Sequence, residues 1–432
     1  ELHDVVTSLG ELGLITLARY QAPQPGRPPI TCVLVHPLLT EVNRHLIQRE
    51  STRQEIFSLL AQLLVDFCRR HDSDDPAEAL WWSLIAPHFV RSLAGKTLPT
   101  SDVAALLPSA INTVEGLRLT GSYSAAHELA DLAYRACETE LGPQHTDTLR
   151  CRNNLAEVLY AQGRWQQSES EHRIILRLRE ELLGPRHSDT LTSRNNLAEA
   201  LYVQGKWGAA EVEHRNTLLA RKAVFGPDDP ATLRSRANFA WVLKDLRRFD
   251  EAAAESQAVL DASRRVCGVD HPDTLTSHSD LAWIMREQGR LEVAEAEMRA
   301  VLQQRSRVLG PDHPDTLGSR SNLAVVLRDL GRIEEAETEN RAVVDARTHV
   351  LGKDHPDSLS SRSNHAVILL DRGRIADALA ENDTVLEART RILGPEHPSA
   401  EISRHNRALI QDQLAGVRAG ATTVKEAAVT GY

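Results

Sequence analysis

Long apolar runs are absent from this chain. Nothing approaches the stretch of about 18 residues that a membrane-spanning helix needs, and no signal peptide opens it. Aromatic residues are scarce, at 4%, so a core must be built mainly from small and medium aliphatic side chains. The five cysteines (Cys32, Cys68, Cys137, Cys151, Cys267) are odd in number, scattered and without a C-x-x-C pair. That excludes a disulfide framework and a cysteine zinc site, and it points to a reducing compartment, so the expected location is cytoplasmic. Lysine supplies only six of the 50 basic residues, a bias that looks like GC-rich bacterial coding rather than chemistry. The net charge of −10 is modest for 432 residues, and no basic block offers nucleic acid a footprint. The first residue is Glu1, in mid-helix pattern, so the chain is expected to be an excised part of something longer.

A length of 432 residues exceeds what one core usually supports, so several domains or a repeat array are expected. Self-comparison finds the array. Gly142, Gly184, Gly226, Gly268, Gly310, Gly352 and Gly394 recur every 42 residues, each opening a version of G-P-x-H-P-D-T-L. A fixed period in this range marks a solenoid whose units bury their apolar faces only by stacking.

Each unit reads as two helices. In the first, Leu149, Leu155, Ala156 and Leu159 share one stripe. A break at Gly163-Arg164 follows, and a second helix runs from about Trp165 to Leu183, with Gly184 as a left-handed C-cap. Small residues recur where helices must approach closely, from Ala156 to Ala408 in first helices and from Ala126 to Ala378 in second helices. This pairing resembles the tetratricopeptide (TPR) consensus. With N-N-L-A at Asn153–Ala156 and Asn195–Ala198, the 42-residue version resembles the kinesin light chain type of repeat. The resemblance implies an all-α, right-handed superhelical solenoid. Residues 101–142 read as a degenerate capping TPR, 143–394 as six 42-residue units, 395–416 as a C-terminal capping helix and 417–432 as a flexible tail.

Residues 1–48 differ. Two β-type runs, Ile15–Ala18 and Ile30–Val35, flank a Pro/Gly-rich segment that reads as a hairpin loop, and helix-like sequence lies on either side. The pattern L-G-L-I-x-L followed by V-H-P-L-L-x-E-V-x-R resembles the end of the winged-helix module behind the nucleotide-binding domain of STAND (NB-ARC-type) NTPases. Residues 49–100 read as a helical linker region. There, Trp81 to His88 resembles the W-x-x-L-x-x-P-H segment that precedes such arrays in bacterial STAND proteins. These resemblances imply that ATP or ADP belongs to an upstream domain, since this chain has no G-x-x-x-x-G-K-[ST]. Salt-sensitive DNA binding through the winged-helix remnant is disfavoured, because His36–Arg44 carries too few basic residues for a recognition helix.

Two series have structural readings. His145, His187, His271, His313, His355 and His397 lie one repeat apart, too far to share a metal at bonding distance, and read as braces of the inter-repeat turn. Arg152, Arg194, Arg236, Arg320, Arg362 and Arg404, with His278 in the fourth unit, fall on the packing stripe. Glu171, Glu213, Glu255, Glu297, Glu339 and Glu381 recur opposite them, so an Arg–Glu ladder is expected to fix helix registration.

The open side of each first helix is where a ligand is expected. Its outward positions are Arg150, Asn153, Glu157 and Tyr160, then Asn195, Glu199 and Tyr202. Further along they are Arg234, Trp241 and Lys244, then Trp283 and Arg286, then Arg328. Tyr, Trp and Arg are the types enriched at binding hot spots. The competing reading packs the two Trp against a neighbouring second helix. By resemblance to the kinesin light chain type, Asn153, Asn154, Asn195 and Asn196 are expected to contact peptide backbone, although bracing the adjacent helix is an equal alternative. No catalytic arrangement, metal site or membrane contact is expected. The chain reads as a protein- or peptide-binding sensor and regulatory arm of a STAND-type NTPase, partnered by its own upstream NTPase domain. The alternative is a free-standing scaffold bridging proteins.

Overall fold

The structure, a computed structural model, describes residues 15–20, 30–35, 58, 61–70, 79–94 and 100–429. Strands β1 (Ile15–Tyr20) and β2 (Ile30–Val35) pair antiparallel, with Ile15 opposite Val35 and Tyr20 opposite Ile30. Thus the two β-type runs do form a hairpin; the helix-like readings on either side of it lie outside the described residues. Residues 61–68 are helical. Beyond them come α1 (Ala79–Ala94), α2 (Thr100–Leu119), α3 (Tyr123–Leu141), α4 (Thr146–Ala161), α5 (Trp165–Leu183), α6 (Ser188–Tyr202), α7 (Trp207–Phe225), α8 (Pro230–Asp245), α9 (Phe249–Val266), α10 (Pro272–Glu287), α11 (Leu291–Val308), α12 (Pro314–Asp329), α13 (Ile333–Leu351), α14 (Pro356–Asp371), α15 (Ile375–Leu393) and α16 (Pro398–Val429). The last corrects the expectation of a cap ending at 416, because helix continues to Val429. Residues 419–428 contain no proline that would break the helix.

The chain divides into two compact units, residues 1–158 and 159–432, with the division inside α4. In the first, the described residues of the expected helical linker region are mainly helical and contribute to a buried core. Trp82, Ile85 and Phe89 of α1 are buried together with Ala61 and Leu64, with Leu106, Ala110 and Leu117 of α2 and with Leu129 of α3. Gly116 makes this possible, since a Cβ there would come within 2.4 Å of the Trp82 indole. Cys137 and Cys151, distant in sequence, are buried with their sulfurs 3.2 Å apart. The neighbouring thiol and burial push the Cys151 pKa upward.

In the second unit each helix packs on the next in sequence, as the short connections require. First helices of successive repeats also touch directly (α8 with α10, α10 with α12, α14 with α16), so this side is the more closely drawn together. The small positions behave as expected: Ala198, Ala240, Ala282, Ala324 and Ala366 are buried, as are Ala210, Ala252, Ala294, Ala336 and Ala378. Ala408 is exposed, on the last helix.

The turns explain the period. Gly184 is the expected C-cap with positive φ, at φ 85° and ψ 161°, a region essentially closed to residues with a Cβ. The next helix then starts on a side-chain cap. His187, His271, His313 and His355 each accept through Nδ1 the backbone N–H two residues on, at 3.2 Å. Asp229 does the same in the third unit. The recurring histidine is therefore a helix N-cap, and an accepting Nδ1 is one that carries no proton.

Candidate functional site

The expected Arg–Glu ladder exists within the second unit. Arg236 pairs with Glu255, His278 with Glu297 at 2.6 Å, Arg320 with Glu339 at 3.3 Å and Arg362 with Glu381 at 2.7 Å. Arg194 leans more to Glu180 than to Glu213, which lies 3.9 Å away. Arg404 departs from the pattern and donates to the Pro395 carbonyl at 2.7 Å. In the first unit Arg152 lies 5.5 Å over the Tyr134 ring.

A second arginine series was not anticipated. Arg179, Arg221, Arg305, Arg347 and Arg389 recur on the second helices, and all but the half-buried Arg347 are fully buried. Each makes the same two contacts with the next first helix. Arg179 Nη1 donates to the Asp189 carbonyl at 3.1 Å and to Ser193 Oγ at 2.8 Å. Arg305 does so to Asp315 and Ser319 at 3.1 and 2.7 Å, and its Nη2 reaches Thr276 Oγ1 on the preceding first helix at 2.7 Å. These guanidinium groups are solvated by neutral oxygens. Burial accordingly lowers the pKa of Arg221, Arg305 and Arg347, and that of Arg389 falls to about 10. Arg on a helix ordinarily reads as surface; only comparison of residues 42 apart, with Ser always 14 further on, would have revealed the pairing.

The first helices carry a third network, through the residues singled out for binding. Arg150, Asn153, Asn154 and Glu157 lie on α4 in the first unit, where Arg150 is exposed and bonds Asp147 at 3.2 Å. The others belong to the second unit. Tyr160 is half-buried on α4. Asn195 accepts from Asn238 at 3.2 Å, and Asn238 also donates to Glu199. Asn196 is half-buried beside them in sequence. Tyr202 donates its hydroxyl to Asp245, and burial together with that carboxylate raises the phenol pKa. Lys244 Nζ sits 4.8 Å from the Trp241 ring centroid and 2.8 Å from Asp245. Arg286 sits 4.6 Å over Trp283 and pairs with Asp329 at 2.5 Å. Arg328 also reaches Asp329, at 3.1 Å, and Asp371 at 3.7 Å. Arg234 is exposed and forms no ion pair among the described residues.

The structure thus brings Tyr202, Trp241, Lys244, Trp283, Arg286 and Arg328 into one stripe pinned by Asp245, Asp329 and Asp371, carboxylates that sequence reading missed. The Trp alternative is partly met: Trp283 packs at the edge of the Met298–Leu327 core. The Trp241 indole lies close enough to the Asp280 carboxylate of α10 to favour its ionised form. Each cation–π contact occupies a ring face, a pairing worth about 0.5–1 kcal/mol at exposed sites.

Asp280 stands where the other units carry Asn196, Asn238, Asn322 or Asn364. Burial lifts its carboxyl to about 6 although Trp241 and Arg305 pull it down. It lines a cleft of about 130 Å³ together with Arg234, Ala237, Ser263, Thr276 and Ser277. Among the described residues no cluster of three metal-ligating side chains occurs, and no helix is long and apolar enough to cross a membrane.

Paired helices repeated in fixed register, small residues at their crossings and a networked inner stripe define a helical-repeat solenoid. The tetratricopeptide repeat family pattern matches residues 152–212, 189–255, 245–299, 284–348 and 319–381, together more than half of the chain. The chain belongs to the tetratricopeptide repeat family. No curated protein matches it. Among solved structures, one of kinesin light chain nearly identical TPR-like repeats from Podosopora anserina is similar. It has 21% identity and TM-score 0.39, covering 48% of this chain and 97% of that one. A Rap protein complexed with competence and sporulation factor gives 11% identity and TM-score 0.48 over 80% of this chain and 99% of that one. A STAND protein with a tetratricopeptide repeat sensor from Pyrococcus horikoshii gives 15% identity and TM-score 0.47 over 95% of this chain and 55% of that one.

Proposed function

We propose that this chain is the sensor and regulatory arm of a STAND-type signalling NTPase, and that it holds a peptide or protein segment against the first helices of its TPR array. The observation that carries the peptide-binding reading is the stripe from Tyr202 through Trp241 and Trp283 to Arg328. Aromatic edges and cations are preorganised there by carboxylates of the following repeat. Such rigid, partly desolvated Tyr, Trp and Arg groups lose little entropy on binding. The NTPase reading rests on the residue patterns of Leu12–Leu17, Val35–Arg44 and Trp81–His88, and assigns ATP or ADP to an upstream domain.

Peptide display against the chain tests the first half. Peptides enriched on wild type should lose at least ~10-fold in affinity for the Trp241→Ala/Trp283→Ala variant, with a thermal melt confirming that the variant is folded. Equal affinity for both proteins contradicts the assignment. Reading the gene upstream of Glu1 tests the second half. A P-loop in the same frame supports the NTPase arm, whereas its absence leaves a free-standing scaffold.

A further inference from the structure

The junction of the third and fourth units breaks several repeat rules at once. Ser263 replaces the guanidinium that Arg179, Arg221, Arg305, Arg347 and Arg389 supply in the other units. Cys267 replaces the bulky Leu183, Phe225, Leu309, Leu351 or Leu393. Asp280 replaces a neutral Asn. Ala253 stands where Glu211 and Glu295 form bridges at 2.6 and 2.7 Å to Arg248 and Arg332.

These substitutions leave a space of definite chemistry. The cleft of about 130 Å³ lies where the missing arginine side chain would run, because its lining includes Ser263, Cys267, Asp273 and Ser277. Asp273 and Ser277 are the counterparts of Asp315 and Ser319, whose carbonyl and Oγ receive Arg305 Nη1 in the next unit. In the fourth unit Ser277 Oγ instead faces Ser263 Oγ at 3.4 Å, too long for a strong hydrogen bond between hydroxyls. Asp280 adds a carboxylate at the same wall. The rim is open, since Pro230, Arg234, Val266, Asp273 and Thr276 are all exposed.

We infer that this cleft is a specificity pocket for an arginine side chain of the bound peptide, whose guanidinium takes the place of the arginine that the array omits at residue 263. The Asp273 carbonyl and Ser277 Oγ accept its N–H groups as their counterparts do in other units, and Asp280 neutralises its charge. The inference rests on the peptide-binding reading, and it assigns one subsite within that face. The charged groups around Asp280 agree with it. Arg305 of α11 is engaged with Asp315, Ser319 and Thr276, Arg234 of α8 lies at the rim, and Asp273 is the other carboxylate of the lining. A half-buried carboxylate without its own cation favours an incoming one.

The test uses N-acetylarginine methylamide, with the isosteric neutral citrulline compound as control. Each is titrated into the nitrogen-15-labelled chain while the Trp241 indole N–H resonance is followed. The arginine compound should shift that resonance saturably, and citrulline should bind at least ~10-fold more weakly. Ser263→Arg, which refills the cleft from within, should abolish the shift. Asp280→Asn, which installs the residue of the other units and so is compatible with the fold, should weaken binding at least ~10-fold. Equal binding of arginine and citrulline, or retained binding in Asp280→Asn, would each overturn the inference. Display-selected peptides that bind without needing arginine would overturn the pocket while leaving the peptide-binding face intact. Failure to select any peptide would count against that face alone, because the small probe still reads the pocket.

Discussion

Asp280→Asn should make the protein more stable at neutral pH, although it removes a charged residue from a cleft. The carboxyl stands at about 6 against an ordinary 3.8. A folded-state pKa raised above the unfolded value means that the folded chain binds the proton more tightly. Ionisation therefore costs stability progressively as pH rises from about 4 to about 6, and the cost is constant above that. About two pKa units at ~1.4 kcal/mol each give about 3 kcal/mol; the residue is partly exposed at the cleft, so about 2–3 kcal/mol is expected. Asn keeps the shape and carries no charge. Urea unfolding of wild type and variant by circular dichroism, at about pH 7.5, 6 and 5, reads the difference. The gain should be largest at the highest pH, smaller by about half near pH 5, and accompanied by unchanged m-values. A gain independent of pH, or a loss at neutral pH, would refute the argument that Asp280 is a desolvated, unpaired carboxylate.

Three further outcomes follow from the same geometry. Glu381→Ala should destabilise by about 1–2 kcal/mol because it strands half-buried Arg362, and Glu381→Ala/Arg362→Ala should cost less than the single change; thermal melts ordering the two oppositely would remove the ladder as a registration device. Burial holds His172 and His214 neutral with pKa values of about 4, so the unfolded chain takes up protons first as pH drops below about 6.5. Each should cost stability between about pH 6.5 and 4, and His214→Asn, which installs the residue found at 340 and 382, should flatten that acid limb in urea titrations. Arg247 adopts φ 59° where the other units have Gly, so Arg247→Gly should raise stability by about 0.5–1 kcal/mol after the larger backbone entropy of glycine is deducted; a drop in the melting midpoint would show that its side chain outweighs the strain.

The period, the two-helix unit and the Arg236–Glu255 type of rung were legible because they follow from spacing alone. Helical angle places Ala240 at a crossing and Arg236 beside it, whatever the solenoid's curvature. The caps were half legible. The turn histidines were read as braces, but their Nδ1 acceptance and the ψ of Gly184 depend on backbone angles that no pattern prints. Asp245, Asp329 and Asp371 were missed because their partners sit 43 residues away, one repeat and one residue along, a relation that only packed first helices create. The buried arginines were missed for a different reason. Arg305 on a helix carries no mark of burial, and its solvation by Ser319 and a carbonyl is invisible until the helices are stacked. Ser263 and Cys267 were signals in plain view, since each is small in a column of large residues.

Amide hydrogen exchange with a display-selected peptide bound tests the central claim most directly. Protection is predicted on the first helices α6, α8, α10 and α12, centred on Trp241 and Trp283, while the outward turns of α7, α9 and α11 exchange as in the free chain. Protection confined to the second helices, or to residues 79–141, would contradict a ligand held against the first-helix stripe.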